Sequence, residues 1–244
     1  MIALLGPDDN FPPTGDALKF PNGLLAESSG FTPAMLLRAY RRGIFPWNSQ
    51  APVRWWTPEP RSLLLPSELH VSRSLRKTLR RDEFLLSVDR CFSDVMTLCG
   101  VTRIAGSGLA SMDGNDEGTW LGPEMIEAYS DLQARGHAHS IEVWTQDNKL
   151  AGGLYGVTIG GAFFGESMFS LLPDASKVAL VALLHILRRE GFDLLDCQME
   201  TDHMNAFGAR NFSRLDFEQR LAQTIDRNIE AGVWRLPATC GGLL

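Results

Sequence analysis

Apolar and polar positions along this 244-residue chain follow different rhythms in its two halves. From Ser140 onward, IEVWTQ, LAGGLYGVTIG and GAFFGESMFS are short apolar or alternating runs, separated by Asp147-Asn148 and Gly160-Gly161. Runs of this length bounded by turn residues predict three strands joined by hairpins. Residues 175–190 then predict a helix, with Asp174 as N-cap and Gly191 as its stop. On that helix Leu180, Leu183, Leu184 and Leu187 share a face, which core packing alone explains. DLLDCQM, 193–199, predicts a short strand, and residues from about 202 predict helix again.

The first half is more punctuated. Thr32-Pro33 followed by MLLRAYRRG predicts a capped helix that ends at Gly43. A second helix is predicted over 71–81, where Val71, Leu75 and Leu79 form an apolar stripe. A third runs from near Pro123 to Gly136. Between the first two lies FPWNSQAPVRWWTPEPR, residues 45–61, with three tryptophans, four prolines and two arginines. Its prolines exclude a helix and argue against a central strand, so it is expected to be a loop. Meander, helix, strand and helix together predict an α+β fold. The expected division sets a smaller N-terminal α/β domain, 1–105, against a C-terminal domain, 106–244.

Charge changes this picture. The chain carries a net charge of −6, yet between Leu36 and Arg81 ten Lys/Arg face two acids. Such asymmetry predicts a basic face for a polyanion on an acidic body. Arg73, Arg76, Lys77, Arg80 and Arg81 recur at helical spacing and form a ridge suited to a phosphate backbone. The plainer alternative is a solvated cationic surface. Composition adds little more. The longest apolar run, Val178–Leu184, is too short to cross a bilayer, and the amino terminus predicts no signal peptide. Cysteines at 91, 99, 197 and 240 have no metal spacing and are expected to be reduced thiols.

Candidate chemistry is confined to a few polar residues in apolar surroundings. Glu166 interrupts GAFFGESMFS, and Asp196 and Gln198 stand two apart at a strand end, on one face. Acids so placed can do acid/base work, or can merely satisfy the next helix start; on these residues alone the two readings stand level. His137 and His139 lack a third ligand, and His185 sits in an apolar helix, so no metal site is expected. The glycine-rich stretch Gly106–Gly118 is expected to be a flexible loop without phosphate-loop spacing.

Nine motifs then occur in order: GIFPW (43–47), RWWTPEPR (54–61), LHVSRS (69–74), EGTW (117–120), GHAHSIEVW (136–144), GGLYGV (152–157), FGESMFS (164–170), ASK (175–177) and DCQ (196–198). Over about Pro21 to Phe217 the chain resembles the leucyl/phenylalanyl-tRNA–protein transferase family. The resemblance implies a bacterial cytoplasmic enzyme without a cofactor. It would transfer leucine, phenylalanine or sometimes methionine from aminoacyl-tRNA to the α-amine of proteins beginning with Arg or Lys, marking them for degradation. It also implies a C-terminal domain like the GNAT acyltransferases. By position in the motifs, Trp56 and Trp120 would sandwich the 3′ adenine, and the basic ridge would contact the acceptor stem. Leu154, Phe163, Leu180, Leu183, Leu187 and Leu195 would form the aminoacyl pocket. Leu154 stands where some members carry methionine. Glu166, Asp196 and Gln198 would form the reaction centre, with Asp196 accepting proton density directly or through Gln198, and Glu166 holding either the aminoacyl amine or the acceptor's cationic side chain. Trp47 and Trp55 are expected to anchor the loop by packing. Two rival functions remain at this stage, a CoA-dependent GNAT acetyltransferase and a non-catalytic RNA-binding module. PDASK, ahead of the long helix, lacks the glycine-rich loop the first would need.

Overall fold

The computed structural model describes residues 2–104 and 121–244. Its strands are β1 (Ala3–Leu5), β2 (Leu24–Ser28), β3 (Phe45–Pro46), β4 (Val53–Trp56), β5 (Arg61–Leu64), β6 (Leu85–Val88), β7 (Ala138–Trp144), β8 (Leu150–Ile159), β9 (Ala162–Ser170), β10 (Leu194–Gln198) and β11 (Arg210–Phe212). Its helices are α1 (Pro33–Tyr40), α2 (Arg73–Arg81), α3 (Phe92–Ile104), α4 (Pro123–Ala134), α5 (Ala175–Arg189), α6 (Asp202–Asn205) and α7 (Arg214–Thr224). The fold is α+β, with a small N-terminal domain and a larger C-terminal one. A four-stranded sheet, β1-β2-β4-β3, belongs to the first, and a seven-stranded sheet, β11-β5-β10-β9-β8-β7-β6, to the second. No helix among the described residues is long and apolar enough to cross a membrane.

Strands β7, β8 and β9 form the expected antiparallel meander, and α5 crosses over to β10, which pairs parallel with β9. Alternation along these strands sends neighbours to opposite faces. Tyr155, Phe164 and Leu194 join a core with α1, α3, α4 and the small sheet; Leu154, Phe163 and Leu195 join one with α5 and α2. The helix starts follow their caps. Thr32 accepts a hydrogen bond from Met35 N–H (3.1 Å), and Ser72 accepts one from Leu75 N–H (3.2 Å). Gly43 closes the turn after α1 at φ +70°, where a Cβ would meet the Phe217 ring at 2.4 Å.

Several expectations change. The tryptophan segment is not a plain loop: Val53–Trp56 forms β4, a central strand paired with both β2 and β3. Four consecutive residues free of proline are enough for a short strand, and Pro46 falls on the edge strand β3, where no donor is needed. Val71 precedes α2 rather than joining it, because Ser72 is the cap. Asp174 does not cap α5 with its side chain; its carboxylate instead takes hydrogen bonds from Thr78 (3.0 Å) and Lys177 (2.8 Å). The predicted terminal helix is broken by β11. Strands β5 and β6 precede residue 105, yet both belong to the large sheet, so the two sheets part between Trp56 and Arg61.

Trp55 is fully buried, edge-on to Phe11 at 4.9 Å, and its indole N–H donates to Ser28 Oγ at 2.8 Å. Trp47 packs, half-buried, against Phe45 and Trp56. Trp55→Ala should therefore cost about 3–5 kcal/mol of stability in urea unfolding, through the cavity it leaves in the small sheet.

Candidate active site

Two irregularities in the large sheet place the polar residues. The β8–β9 register runs Tyr155↔Ser167 and then Gly156↔Gly165, so Glu166 is the extra residue of a bulge. The β5–β10 register skips Cys197 between Asp196 and Gln198, and Gln198 takes a left-handed φ of +64°. Bulges re-aim side chains out of the sheet's alternation and are common beside active sites. A left-handed glutamine costs about 1–2 kcal/mol, so the surrounding contacts must hold it. Parallel pairing of β9 with β10 ends at Phe164↔Asp196. Glu166 and Gln198 each lie two residues beyond that last pair.

There they meet. Gln198 Nε2 donates to Glu166 Oε1 at 3.2 Å, and the Tyr40 hydroxyl donates to the same oxygen at 2.7 Å. The Tyr129 hydroxyl lies 2.5 Å from that of Tyr40, so it donates in turn, and a chain of donors ends on Glu166. Behind Gln198, Asp196 is fully buried. Its Oδ1 accepts from Arg61 Nε (2.8 Å) and from Gln198 N–H (2.8 Å), and its Oδ2 accepts from Arg61 Nη2 (2.6 Å). The Arg61 guanidinium is sandwiched between the rings of Phe45 (4.9 Å) and Phe217 (4.6 Å). Arg61 Nη1 and the buried Ser62 Oγ have no hydrogen-bond partner among the described residues.

Burial sets the proton affinities. Glu166 is partly exposed at its surface but deep among protein atoms. Burial pushes its carboxyl up to about 8; the Tyr40 hydrogen bond pulls it down, while the charge of Asp196 raises it further. Burial, and the charge of Glu166, raise both tyrosines well above their usual value. Burial likewise raises the Cys197 thiol.

Both oxygens of Asp196, expected above to accept proton density, are engaged by Arg61, and no part of the residue reaches solvent. Arg61, counted above with the polyanion-facing charges, is instead the buried partner of Asp196. Trp56 is only 2% exposed, on β4 rather than in the expected loop, with Trp47 edge-on to it at 5.6 Å. Its indole N–H has no partner among the described residues. Trp120, with the EGTW motif and the Gly106–Gly118 stretch, lies outside the described residues. Leu154, Phe163, Leu180, Leu183, Leu187 and Leu195 do come together, in one closed cluster on the α5 side of the sheet. Arg73, Arg76, Lys77, Arg80 and Arg81 are all exposed, and none forms an ion pair among the described residues. Tyr40, Tyr129 and Arg61 went unread as site residues. For Arg61 a signal existed: a guanidinium at the head of the apolar run RSLLL needs a buried partner.

The family model described as leucyl/phenylalanyl-tRNA protein transferase matches residues 63–222, and that of the N-terminal domain of the same transferase matches 30–59. The chain belongs to the leucyl/phenylalanyl-tRNA–protein transferase family. The Nitrosomonas eutropha transferase is 47% identical over 240 residues, which is 98% of both chains. The Hydrogenovibrio crunogenus transferase is 49% identical over 228 residues, covering 93% of this chain and 85% of that one. The Thiobacillus denitrificans transferase is 50% identical over 225 residues, covering 92% and 94%. A solved structure, "The structure of L-PGS from Bacillus licheniformis", aligns over 81% of this chain and 65% of that one, with 10% identity and a TM-score of 0.37, too slight to argue from. The two transferase models part between 59 and 63, where the two sheets also part. The activity of this aminoacyltransferase is thus leucyl/phenylalanyl-tRNA–protein transfer, from an aminoacyl-tRNA donor to protein acceptors.

The transferase's Glu166 gives stability a definite pH dependence. Its folded pKa, about 8, lies above the ordinary 4.5, so the folded state binds more protons between those values. Stability then falls as pH rises from 4.5 through 8, and is fully regained below 4.5. Glu166→Gln should flatten that slope, gaining on the order of 1–3 kcal/mol at pH 8.5 relative to pH 5 in urea melts.

Proposed function

We propose that Glu166, Gln198 and the Asp196–Arg61 pair form the transfer centre of this aminoacyltransferase. The observation that carries this reading is the meeting of two sheet bulges, with Gln198 Nε2 and Glu166 Oε1 3.2 Å apart where β9 and β10 separate. The aminoacyl ester is already activated, so aminolysis needs neither ATP nor a metal. The acceptor's neutral α-amine attacks the ester carbonyl, a tetrahedral adduct forms, and the C–O bond to the terminal ribose breaks. One amine proton must leave and one must reach the departing ribose hydroxyl. Glu166, with a pKa of about 8, is matched to an α-amine of about 7.7–8.0 and is the group that relays this proton. Gln198 orients the amine through its side-chain carbonyl, since an amide is too weak a base to do more. Asp196 positions: it fixes the Gln198 backbone in its left-handed turn, and Arg61 fixes Asp196.

The closed leucine and phenylalanine cluster receives the aminoacyl side chain of Leu, Phe or sometimes Met. It lies on the opposite face of the sheet from Tyr40 and Tyr129, and the separation of β9 from β10 joins the two faces. Trp56 and Trp120 hold the 3′ adenine, for which base stacking is worth roughly 1–3 kcal/mol per base; Trp47 must first swing off the edge of Trp56. The exposed α2 cations follow the acceptor stem. Acceptors begin with Arg or Lys and are marked for degradation in the cytoplasm. The order β7–β8–β9–α5–β10 supports a GNAT-like C-terminal domain, and we place the domain division between 59 and 63.

With Phe-tRNA and no added CoA or ATP, an Arg-initiated peptide should become Phe-Arg-peptide, while the same peptide beginning with Asp stays unmodified. Equal labelling of both peptides rejects the acceptor assignment. Replacing Arg76, Lys77 and Arg80 together by Ala should raise KM for aminoacyl-tRNA and flatten its salt dependence, with kcat little changed. An unchanged KM and salt slope reject the ridge as the tRNA contact.

A further inference from the structure

Residues beyond 222 lie outside both family-model matches, yet they are stitched to the large sheet. Leu86 N–H donates to Ala238 O and Cys240 N–H to Phe84 O, each at 2.9 Å. The Arg189 guanidinium, at the end of α5, donates to the carbonyls of Val233 (2.6 Å) and Arg235 (2.9 Å). These bonds hold Trp234 against the α5 side of the sheet. Its indole stacks on His139 with centroids 3.8 Å apart and planes 22° apart. The His139 ring is fixed in turn, with Nδ1 2.6 Å from Asp89 Oδ2 while Asp89 Oδ1 accepts Ser140 N–H. Trp234 also meets two further aromatic rings, Phe163 at 5.8 Å, tilted, and Phe192 at 6.0 Å, edge to face.

Phe163 is where this packing reaches the proposed pocket. Its ring is fully buried and lies directly on the bare backbone of Gly156, where a Cβ would stand 2.4 Å from Cε1. Gly156 supports the ring from below and Trp234 abuts it from the side. Trp234 stands against any retreat of the ring toward the tail.

We infer that Trp234 is a specificity-positioning residue: by abutting Phe163 it sets the depth of the aminoacyl pocket, and so the balance between leucyl and phenylalanyl donors. This rests on the pocket reading above. A smaller residue at 234 lets Phe163 relax toward the tail, which deepens the pocket and favours the larger phenylalanyl group. A purely structural tail would weaken both donors alike.

The test compares kcat/KM for Phe-tRNA and Leu-tRNA with one Arg-initiated peptide, in the full chain and in Trp234→Leu, Trp234→Phe and Leu180→Ala. Trp234→Leu should raise the Phe:Leu ratio about threefold or more, and Trp234→Phe should fall between it and the parent. An unchanged ratio, or an equal loss for both donors, overturns the inference. Should Trp234→Leu fail to fold, Trp234→Phe decides by the same comparison. Leu180→Ala probes the pocket separately: an unmoved ratio there rejects the pocket reading, whereas a moved ratio beside an unmoved Trp234→Phe rejects only the role of the tail.

Discussion

The arrangement of the site depends on one buried ion pair. Arg61 and Asp196 come from β5 and β10, neighbouring strands of the large sheet, and neither side chain reaches solvent in any useful measure. Such a pair is a poor source of net stability, since desolvation offsets most of the attraction, but leaving either partner alone costs about 3–5 kcal/mol. Its value here is geometric. The guanidinium fork fixes the carboxylate, and the carboxylate's Oδ1 accepts the Gln198 N–H, which holds an unfavourable left-handed turn in place. Phe45 from the small sheet and Phe217 from α7 close over the cation. One pair therefore ties the N-terminal domain, the large sheet and the last long helix to the position of a single glutamine side chain.

The sheet itself separates two environments. Alternation along β8, β9 and β10 turns Tyr155, Phe164 and Leu194 to the face that α1 and α4 cover with Tyr40 and Tyr129, and Leu154, Phe163 and Leu195 to the other. Intact ladders would keep them apart. Bulges at Glu166 and Cys197 interrupt the ladders where β9–β10 pairing ends, and the Glu166 carboxyl takes the Tyr40 hydrogen bond there. Glu166 carries the electrostatic consequence: a carboxyl drawn out of alternation into a crowded, desolvated position keeps its proton to about pH 8. A strand-end acid in regular register, facing solvent, would not.

Much of the architecture was legible locally. Periodicity and turn residues predict the meander, α5 and β10; the caps Thr32 and Ser72 and the stop at Gly43 punctuate the first helices. Ordered motifs pointed to the family, and the exposed cations of α2 follow directly from helical spacing. Strands β5 and β6 carry no such signal, since four residues buried or half-buried on both faces show no alternation to read. Prolines misled at β4 because they flank the strand rather than interrupt it.

Residue types and spacing alone paired Asp196 with Gln198, because strand geometry is local, and only the family resemblance joined Glu166 to them. Which of them is buried against a cation and which stays partly exposed is a matter of long-range pairing. Arg61 lies 135 residues before Asp196, and only the packed sheet brings its guanidinium onto both carboxylate oxygens. The same holds for Tyr40 beside Glu166 and for Trp234 against Phe163. A local pattern records what a side chain is and which face it takes; its charge state and reach depend on neighbours that the chain supplies from elsewhere.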